Sequence, residues 1–174
     1  VISAAASTVN GRYLVTTANS TIRVWDLEDG SLIKSFSHRP FTFTTVLMSP
    51  DGATCVVHGD DAMIWLYDVA TWTLRDSMNT GATIGASAYS PDSKRIAFTR
   101  LGECRVFELL SKQLLATIAH EYHFSNSNAV QFSTDGRSLA IMNTNVDVYE
   151  TASWTLAYHL DGKQLMTGIQ WFPD

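Results

Sequence analysis

The sequence has few cysteines and no long apolar segment. Its two cysteines, Cys55 and Cys104, lack C-x-x-C spacing and are too few for a disulfide framework, so we expect buried thiols in a reducing compartment. The longest uninterrupted apolar run, residues 62–67, is far shorter than the roughly 18 residues that a membrane helix needs. No secretion signal is visible. These absences predict an intracellular protein, cytoplasmic or nuclear, with no membrane partner.

Charged residues are also scarce, and acidic residues outnumber basic ones. They make up 17% of the 174 residues, and 17 acidic against 12 basic side chains give a net charge of -5. That sign is wrong for a surface that neutralises phosphates, so we expect no nucleic-acid partner. Neither a G-x-G-x-x-G nor a G-x-x-x-x-G-K segment occurs, so no nucleotide or other cofactor is predicted.

Three sequence markers recur about every forty residues and stay in phase. A turn signature occurs at Asn10-Gly11, Asp51-Gly52, Asp92-Ser93 and Asp135-Gly136, and begins again at Asp174. An aromatic residue precedes an acid at Trp25-Asp26, Tyr67-Asp68, Phe107-Glu108 and Tyr149-Glu150. A leucine follows each acid by six residues, at Leu32, Leu74, Leu114 and Leu156. Three markers in phase over four repeats indicate a repeat architecture.

Within each repeat, apolar residues alternate with variable ones, which is typical of strands with one buried face. We predict four strands per repeat, and in the second repeat they cover residues 46–49, 54–58, 63–69 and 73–77. Residues 49–52, Ser-Pro-Asp-Gly, predict a tight turn in which Pro presets φ and Gly accepts positive φ. Helical periodicity is absent, so we expect an all-β fold.

Four strands in about forty residues, with Trp25-Asp26 at the end of the third, resemble the WD-repeat β-propeller family. The resemblance covers essentially the whole chain and implies four-stranded antiparallel blades. We expect a partial propeller with blades at residues 1–42, 43–83, 84–127 and 128–164, and the first strand of a fifth at 165–174. Since the chain has no initiator Met, we expect it to belong to a longer protein.

The resemblance also implies structural roles within the repeats. The family's Gly-His dipeptide is retained only as its histidine, at His38 and His120, and its turn aspartate only as Asp61. Asn19 and Asn143 replace that aspartate elsewhere, and Leu101 loses it. The expected repeat residues are Trp25, Asp26, His38, Asp61, Tyr67, Asp68, Phe107, Glu108, His120, Tyr149 and Glu150.

Four blades and one strand make an arc, whereas most propellers of this family close with about seven blades. An open arc exposes strand edges and apolar blade faces that favour association. We favour missing blades on flanking sequence. The alternatives are blades from another chain, a ring of two copies, and an unusually small closure.

Three short motifs suggest an active or metal site, and each has a structural explanation that we prefer. Residues 120–123, His-Glu-Tyr-His, are one residue short of the H-E-x-x-H zinc motif and lie in a predicted loop. Residues 85–87, Gly-Ala-Ser, lack the second Gly of a nucleophile elbow. Asp60 and Asp61 have no third ligand nearby in the sequence. We therefore expect no catalytic residue and no metal.

The resemblance implies a working surface on the loops that join second to third strands and each fourth strand to the next blade. In the family that face commonly binds peptides and protein domains, and aromatic and cationic residues dominate interface hot spots. The alternative is that such side chains anchor their own loops. Trp72 and Trp154, just before the fourth strands, are either contact residues or packing between blades. The candidate partner-binding residues are Arg39, Phe41, Asp60, Arg100, Tyr122 and Phe124.

The sequence therefore predicts a non-enzymatic scaffold for protein–protein interaction, which acts within a larger protein or complex and binds a protein or peptide. One alternative is a propeller accessory to an enzyme, since residues 89–98, YSPDSKRIAF, are also similar to repeats of TolB-like and prolyl-oligopeptidase-type propellers. Another is a homodimer that closes the propeller by itself.

Overall fold

The computed structural model describes residues 2–37, 42–100, 102–120, 129–162 and 169–171, and in these ranges it contains sixteen strands and no helix. The prediction of an all-β fold is confirmed. None of the described residues forms a helix that could cross a membrane.

The strands form four antiparallel sheets, and each sheet consists of four strands in chain order. Sheet 1 contains β1 (Ala4–Ser7), β2 (Tyr13–Ala18), β3 (Thr21–Asp26) and β4 (Leu32–Ser37). Sheet 2 contains β5 (Phe43–Met48), β6 (Thr54–Gly59), β7 (Met63–Asp68) and β8 (Thr73–Asn79). Sheet 3 contains β9 (Ser87–Tyr89), β10 (Arg95–Arg100), β11 (Glu103–Glu108) and β12 (Leu114–Ala119). Sheet 4 contains β13 (Ala129–Phe132), β14 (Ser138–Met142), β15 (Val146–Glu150) and β16 (Leu156–Leu160).

The chain divides into two compact units, Val1–Ile84 with sheets 1 and 2 and Gly85–Asp174 with sheets 3 and 4. In the first unit, Val15, Ile22 and Val24 of sheet 1 pack in one buried cluster with Val57 and Tyr67 of sheet 2. These residues are alternate positions of their strands, so one face of each strand supplies the core. Full burial of one such aliphatic side chain contributes about 1.5–3 kcal/mol.

The second unit has the same kind of core between its own two sheets. Val106 and Cys104 of sheet 3 pack with Leu139 and Ile141 of sheet 4. Cys104 and Cys55 are both free and buried, and burial raises the pKa of each thiol to about 12. Both cysteines therefore act as small apolar core residues.

The turn after the first strand has the same hydrogen bonds in all four sheets. A hydroxyl donates to the Asn or Asp two residues later over 2.5–2.7 Å, and the same hydroxyl oxygen accepts the N–H at the start of the second strand. The last turn residue has positive φ, between 61° and 72°. Ser, Thr, Asn and Asp favour tight turns because their short polar side chains can form hydrogen bonds to the nearby backbone. The hydroxyl residues are Thr8, Ser49, Ser90 and Ser133, and the positive-φ residues are Gly11, Gly52, Ser93 and Gly136.

The aromatic residue and the leucine marker of each repeat are cross-strand partners. A β-bulge immediately before each aromatic residue shifts the register by one, and this shift brings Trp25 opposite Leu32 and Tyr67 opposite Leu74. Phe107 and Tyr149 face Leu114 and Leu156 in the same way. This shared pairing explains why the spacing of the marker is the same in all four repeats, because the aromatic residue and the leucine must face each other across a turn of fixed length, with five residues between the acid and the leucine.

The turn between the third and fourth strands contains a residue with positive φ in every sheet, at Gly30, Trp72, Lys112 and Trp154. Only the first is a glycine, and the two tryptophans are held in this unfavourable region by packing. Trp72 is buried, and its ring contacts Tyr13 edge-on with centroids 6.1 Å apart. The structure thus supports packing rather than partner contact for Trp72. Trp154 is partly buried against the core of its own unit.

The predicted strands of the second repeat are recovered with shifted ends. β5 begins at Phe43 rather than at residue 46, since Phe43 is fully buried and pairs with Gly59, and β8 continues to Asn79. Most of the expected fifth-blade strand lies outside the described residues, and residues 169–171 are not in a strand. Ile169 and Trp171 pack against sheet 4.

Candidate partner-binding site

The two ends of each sheet carry different turns, because a meander alternates its turns between the ends. The turns β2–β3, β6–β7, β10–β11 and β14–β15 lie at the end where β4, β8, β12 and β16 finish. We call this the loop end, and the opposite end, with the turns after each first and third strand, the hairpin end. The working surface predicted from the sequence corresponds to the loop ends.

A polar cavity of about 360 Å³ opens at the loop end of sheet 4, within the second unit. Two of its residues, Ala119 and His120, come from the end of β12 and the residue after it, and the others come from sheet 4. Such a volume is at the small end of the range for ligand pockets. The lining residues are Ala119, His120, Asn143, Thr144, Asn145, Asp147 and His159.

One wall of the cavity is a contact between His120 and Asn143. The His120 Nδ1 lies 3.0 Å from the Asn143 Nδ2, so the amide donates and the ring nitrogen accepts. The other amide atom, Asn143 Oδ1, is inaccessible to solvent and has no hydrogen-bond partner among the residues that the structure describes. The backbone N–H of Asn143 donates to Asn145 O over 2.9 Å, and this hydrogen bond closes the tight turn.

Two further lining residues, His159 and Asp147, bind each other, and Asp161, which is outside the lining, binds the same histidine. His159 Nδ1 lies 2.6 Å from Asp147 Oδ1, its cross-strand neighbour, and His159 Nε2 lies 3.1 Å from Asp161 Oδ1. The hydrogen bond to Asp147, assisted by the one to Asp161, raises the pKa of His159 above its usual value. Both ring nitrogens can donate to these carboxylates only in the protonated ring.

Asp60, a candidate contact residue, lies at the loop end of sheet 2 and is exposed. Its Oδ1 accepts the N–H of Thr42 over 2.8 Å, while its own N–H donates to Thr42 O over 3.2 Å. Asp60 therefore also anchors the residue that precedes β5. Its neighbour Gly59 lets the two segments approach, because a Cβ there would lie 1.9 Å from Thr42 O.

Arg100, a second candidate, lies at the loop end of sheet 3, where it forms an ion pair with Glu103. Its Nε lies 3.0 Å from Glu103 Oε1, and Arg105 Nε lies 2.8 Å from the same oxygen. The Arg100 side chain is only 19% exposed. The Arg100 guanidinium therefore binds within its own β10–β11 hairpin, as the loop-anchoring alternative in the sequence analysis expects.

The other four candidate contact residues, Arg39, Phe41, Tyr122 and Phe124, lie outside the described residues, as does the repeat histidine His38. Their assignment to partner binding stays a prediction.

The aromatic and turn residues of the repeats make contacts inside their own sheets. Trp25 Nε1 donates to Thr16 Oγ1 over 2.9 Å. Asp61 Oδ2 accepts the indole N–H of Trp65 over 2.8 Å, and its Oδ1 lies 3.1 Å from the backbone N of Met63. Asp61 therefore closes the β6–β7 turn and fixes a side chain of β7.

The other aromatic members lie in or beside the buried cores. Tyr67 and Tyr149 are buried, and burial raises the pKa of both hydroxyls. Phe107 stacks on Phe98 with centroids 5.6 Å apart. Trp25 is only partly buried.

The acids of the aromatic–acid pairs begin the turn between the third and fourth strands. Asp26 Oδ1 accepts the N–H of Glu28 over 2.9 Å. Asp68 accepts the hydroxyl and the N–H of Thr71, each over 2.8 Å, and these hydrogen bonds lower its pKa. The carboxylate of Glu108 accepts the hydroxyl of Ser111. The N–H of Glu150 donates to Thr155 O over 3.0 Å in the fourth sheet.

A comparison with family models bears on the first repeat. The model for the WD domain, G-beta repeat, matches residues 1–26, which end with the Trp25-Asp26 pair. The first repeat therefore matches a WD repeat, and the resemblance inferred from the residues is confirmed.

Curated relatives match a longer part of the chain. It is 25% identical over 125 residues to the small ribosomal subunit protein RACK1 of Medicago sativa, and the match covers 72% of this chain and 38% of that protein. It is 24% identical over 137 residues to the eukaryotic translation initiation factor 3 subunit I of Anopheles gambiae, covering 70% of this chain and 41% of the relative. The chain is 30% identical over 117 residues to the U3 small nucleolar RNA-associated protein 18 homolog of Mus musculus, covering 64% and 21% respectively. The chain thus spans about two fifths or less of the length of these relatives.

The cavity joins two positions to which the resemblance assigns repeat roles. His120 is the expected repeat histidine that precedes Tyr149, and Asn143 is the expected substitute for the turn aspartate. The structure brings the His120 Nδ1 and the Asn143 Nδ2 to 3.0 Å. Sequence reasoning placed residues 143–145 on the working face but missed Asp147 and His159. The available signal was Asp147, an acid at the strand position where the other repeats have Arg23, Trp65 and Arg105.

Within the described residues, no group of three or more His, Cys, Asp or Glu side chains could hold a metal ion. The two carboxylates beside His159 bind its ring nitrogens instead.

Proposed function

We propose that the chain is a non-enzymatic scaffold that binds protein partners at the loop ends of its WD-repeat sheets, as part of a larger protein or complex. The observation that carries this proposal is the polar cavity at the loop end of sheet 4, which is lined by Asn143, Thr144, Asn145 and Asp147 among others.

The two ends of the sheets differ in whether their polar side chains form hydrogen bonds within the turn or are exposed. At the hairpin ends of sheets 2 and 3, the hydroxyl and the carboxylate of the first turn bind each other and the backbone of the same turn. At the loop end of sheet 4, the polar side chain of Thr144 is exposed and lines the cavity. Rigid strands with available polar groups in their turns are suited to preorganised recognition.

The names of the relatives support a role in an assembly. One is a ribosomal subunit protein, one is a subunit of an initiation factor, and one is associated with a small nucleolar RNA. We infer an intracellular component of this general kind. We further infer that its direct contact is protein rather than RNA, because the net charge of -5 opposes phosphate binding.

Site-specific photo-crosslinking tests this proposal. A photoreactive phenylalanine analogue replaces Thr144 at the loop end or, as a control, Leu110 at the hairpin end of sheet 3, where Leu110 is 84% exposed. Full-length protein carrying either residue is irradiated in cells. We expect discrete protein adducts from position 144 and few from position 110. Adducts of equal yield at both positions, or only at position 110, would refute loop-end binding.

A further inference from the structure

We propose that the cavity at the loop end of sheet 4 receives a basic side chain, lysine or arginine, of the partner polypeptide. This inference rests on the proposed function, because it names the chemistry by which the loop end recognises its partner.

The first argument is the charge around the cavity. Asp147 lines the cavity, and Asp161, which is exposed and outside the lining, binds the same histidine, so even the protonated His159 leaves one negative charge in excess beside the cavity. The described lining contains no lysine or arginine to neutralise it. A cation therefore gains energy on entering this space, and an anion loses energy.

The second argument is the hydrogen-bonding chemistry of Asp147, which lines the cavity. One of its carboxylate oxygens binds His159, and a carboxylate can accept several hydrogen bonds. Ammonium and guanidinium groups are donors only, so their chemistry complements that of Asp147.

The third argument is size and access. A cavity of about 360 Å³ suits one long side chain rather than a folded epitope. Thr144 lies exposed at its rim. Asn145 Oδ1 accepts the N–H of Gly162 over 3.0 Å, so this part of the wall is already fixed before a ligand enters. A preorganised wall spares part of the ordering cost of binding.

Nuclear magnetic resonance titration of the ¹⁵N-labelled 174-residue chain tests the inference with defined probes. The cationic probes are Nα-acetyl-lysine amide and Nα-acetyl-arginine amide, and the matched neutral and anionic probes are Nα-acetyl-norleucine amide and Nα-acetyl-glutamate amide. We expect saturable shifts of the side-chain amide signals of Asn143 and of the backbone signal of Asn145 with the cationic probes, and binding roughly tenfold weaker or worse with the others. Equal shifts with norleucine, or none with lysine and arginine, would overturn the proposal.

Two pairs of variants locate the effect in the cavity. Asp147→Asn should weaken binding of the cationic probes roughly tenfold, whereas Glu28→Gln, an equal change of charge on an exposed turn of sheet 1, should not. Since Asp147→Asn also loses a contact to His159, Thr144→Lys provides an exposed alternative. It should block the cationic probes by repulsion, and Thr144→Gln should not. Unchanged binding in both Asp147→Asn and Thr144→Lys would refute the site.

The crosslinking experiment separates the two proposals. Protein adducts at position 144 without binding of the cationic probes would reject the basic side chain and keep the scaffold function. Absence of adducts at position 144 would reject the scaffold proposal at this face, whatever the probes do.

Discussion

Replacement of Gly59 by alanine tests how the connection before β5 is held against the loop end of sheet 2. An added Cβ would lie 1.9 Å from Thr42 O, 2.8 Å from the Thr42 carbonyl carbon and 3.0 Å from Phe43 Cα. All three are backbone atoms, so no side-chain rotation can relieve the clash. The connection would have to move by roughly 1 Å to restore ordinary contact.

That movement would disturb several interactions at once. Thr42 exchanges two hydrogen bonds with Asp60, and the N–H of Phe43 donates to Asn19 O over 2.8 Å. Each lost bond costs about 0.5–1.5 kcal/mol, and the fully buried Phe43 ring would also be displaced. We expect Gly59→Ala to lower the free energy of unfolding by about 3 kcal/mol.

Urea unfolding followed by tryptophan fluorescence measures the loss. Gly11→Ala is the matched control, because its Cβ would meet no atom within 4 Å and only the positive φ of +70° is penalised. That penalty is about 1 kcal/mol. If Gly59→Ala costs no more than Gly11→Ala, the close approach of the two backbone segments is wrong.

Three further measurements test other parts of the structure. His58 is fully buried, and desolvation lowers its pKa to about 4. Because the unfolded chain binds that proton near pH 6.5, the free energy of unfolding is highest above pH 6.5 and falls as the pH approaches 4. Urea titrations should show a decrease of about 2 kcal/mol between pH 7.5 and pH 5. A decrease below about 0.5 kcal/mol would show that His58 is solvated. Ser93→Gly should stabilise the third-sheet turn by about 0.5 kcal/mol, because glycine tolerates the φ of 61°; a thermal melt that shows destabilisation would contradict the shared turn geometry. Tyr67→Ala should lower the free energy of unfolding by about 3–5 kcal/mol and Trp25→Ala by less, because Tyr67 is 2% exposed and Trp25 is only partly buried. A larger loss for Trp25→Ala in chemical unfolding would contradict the burial of these two side chains.

The repeat was predictable from the sequence because its markers are local. The turn signature works through a hydroxyl and a carboxylate two residues apart, and the leucine marker pairs with the aromatic residue across one hairpin. Such interactions have fixed sequence separations, so they leave a period that can be counted. The positive φ of Trp72 left no such trace, because packing rather than residue type holds this position.

The candidate site was predictable only in outline. The resemblance located the loop ends, and residues 143–145 were placed there. The cavity itself depends on the packing of sheet 3 against sheet 4, which brings His120 to Asn143, and on the pairing of β15 with β16, which brings His159 to Asp147. Arg100 shows the converse case. Its ion pair with Glu103 across a tight turn was within reach of sequence reasoning, since the two residues are three apart.

The central claim is that the loop end, and not the hairpin end, binds the partner. Isothermal titration calorimetry with the protein identified by crosslinking tests it most directly, on the wild type, Thr144→Lys and Leu110→Lys. The account predicts that Thr144→Lys weakens the affinity roughly tenfold or more, whereas Leu110→Lys leaves it unchanged. Equal affinities for the wild type and Thr144→Lys, with a loss only for Leu110→Lys, would contradict it.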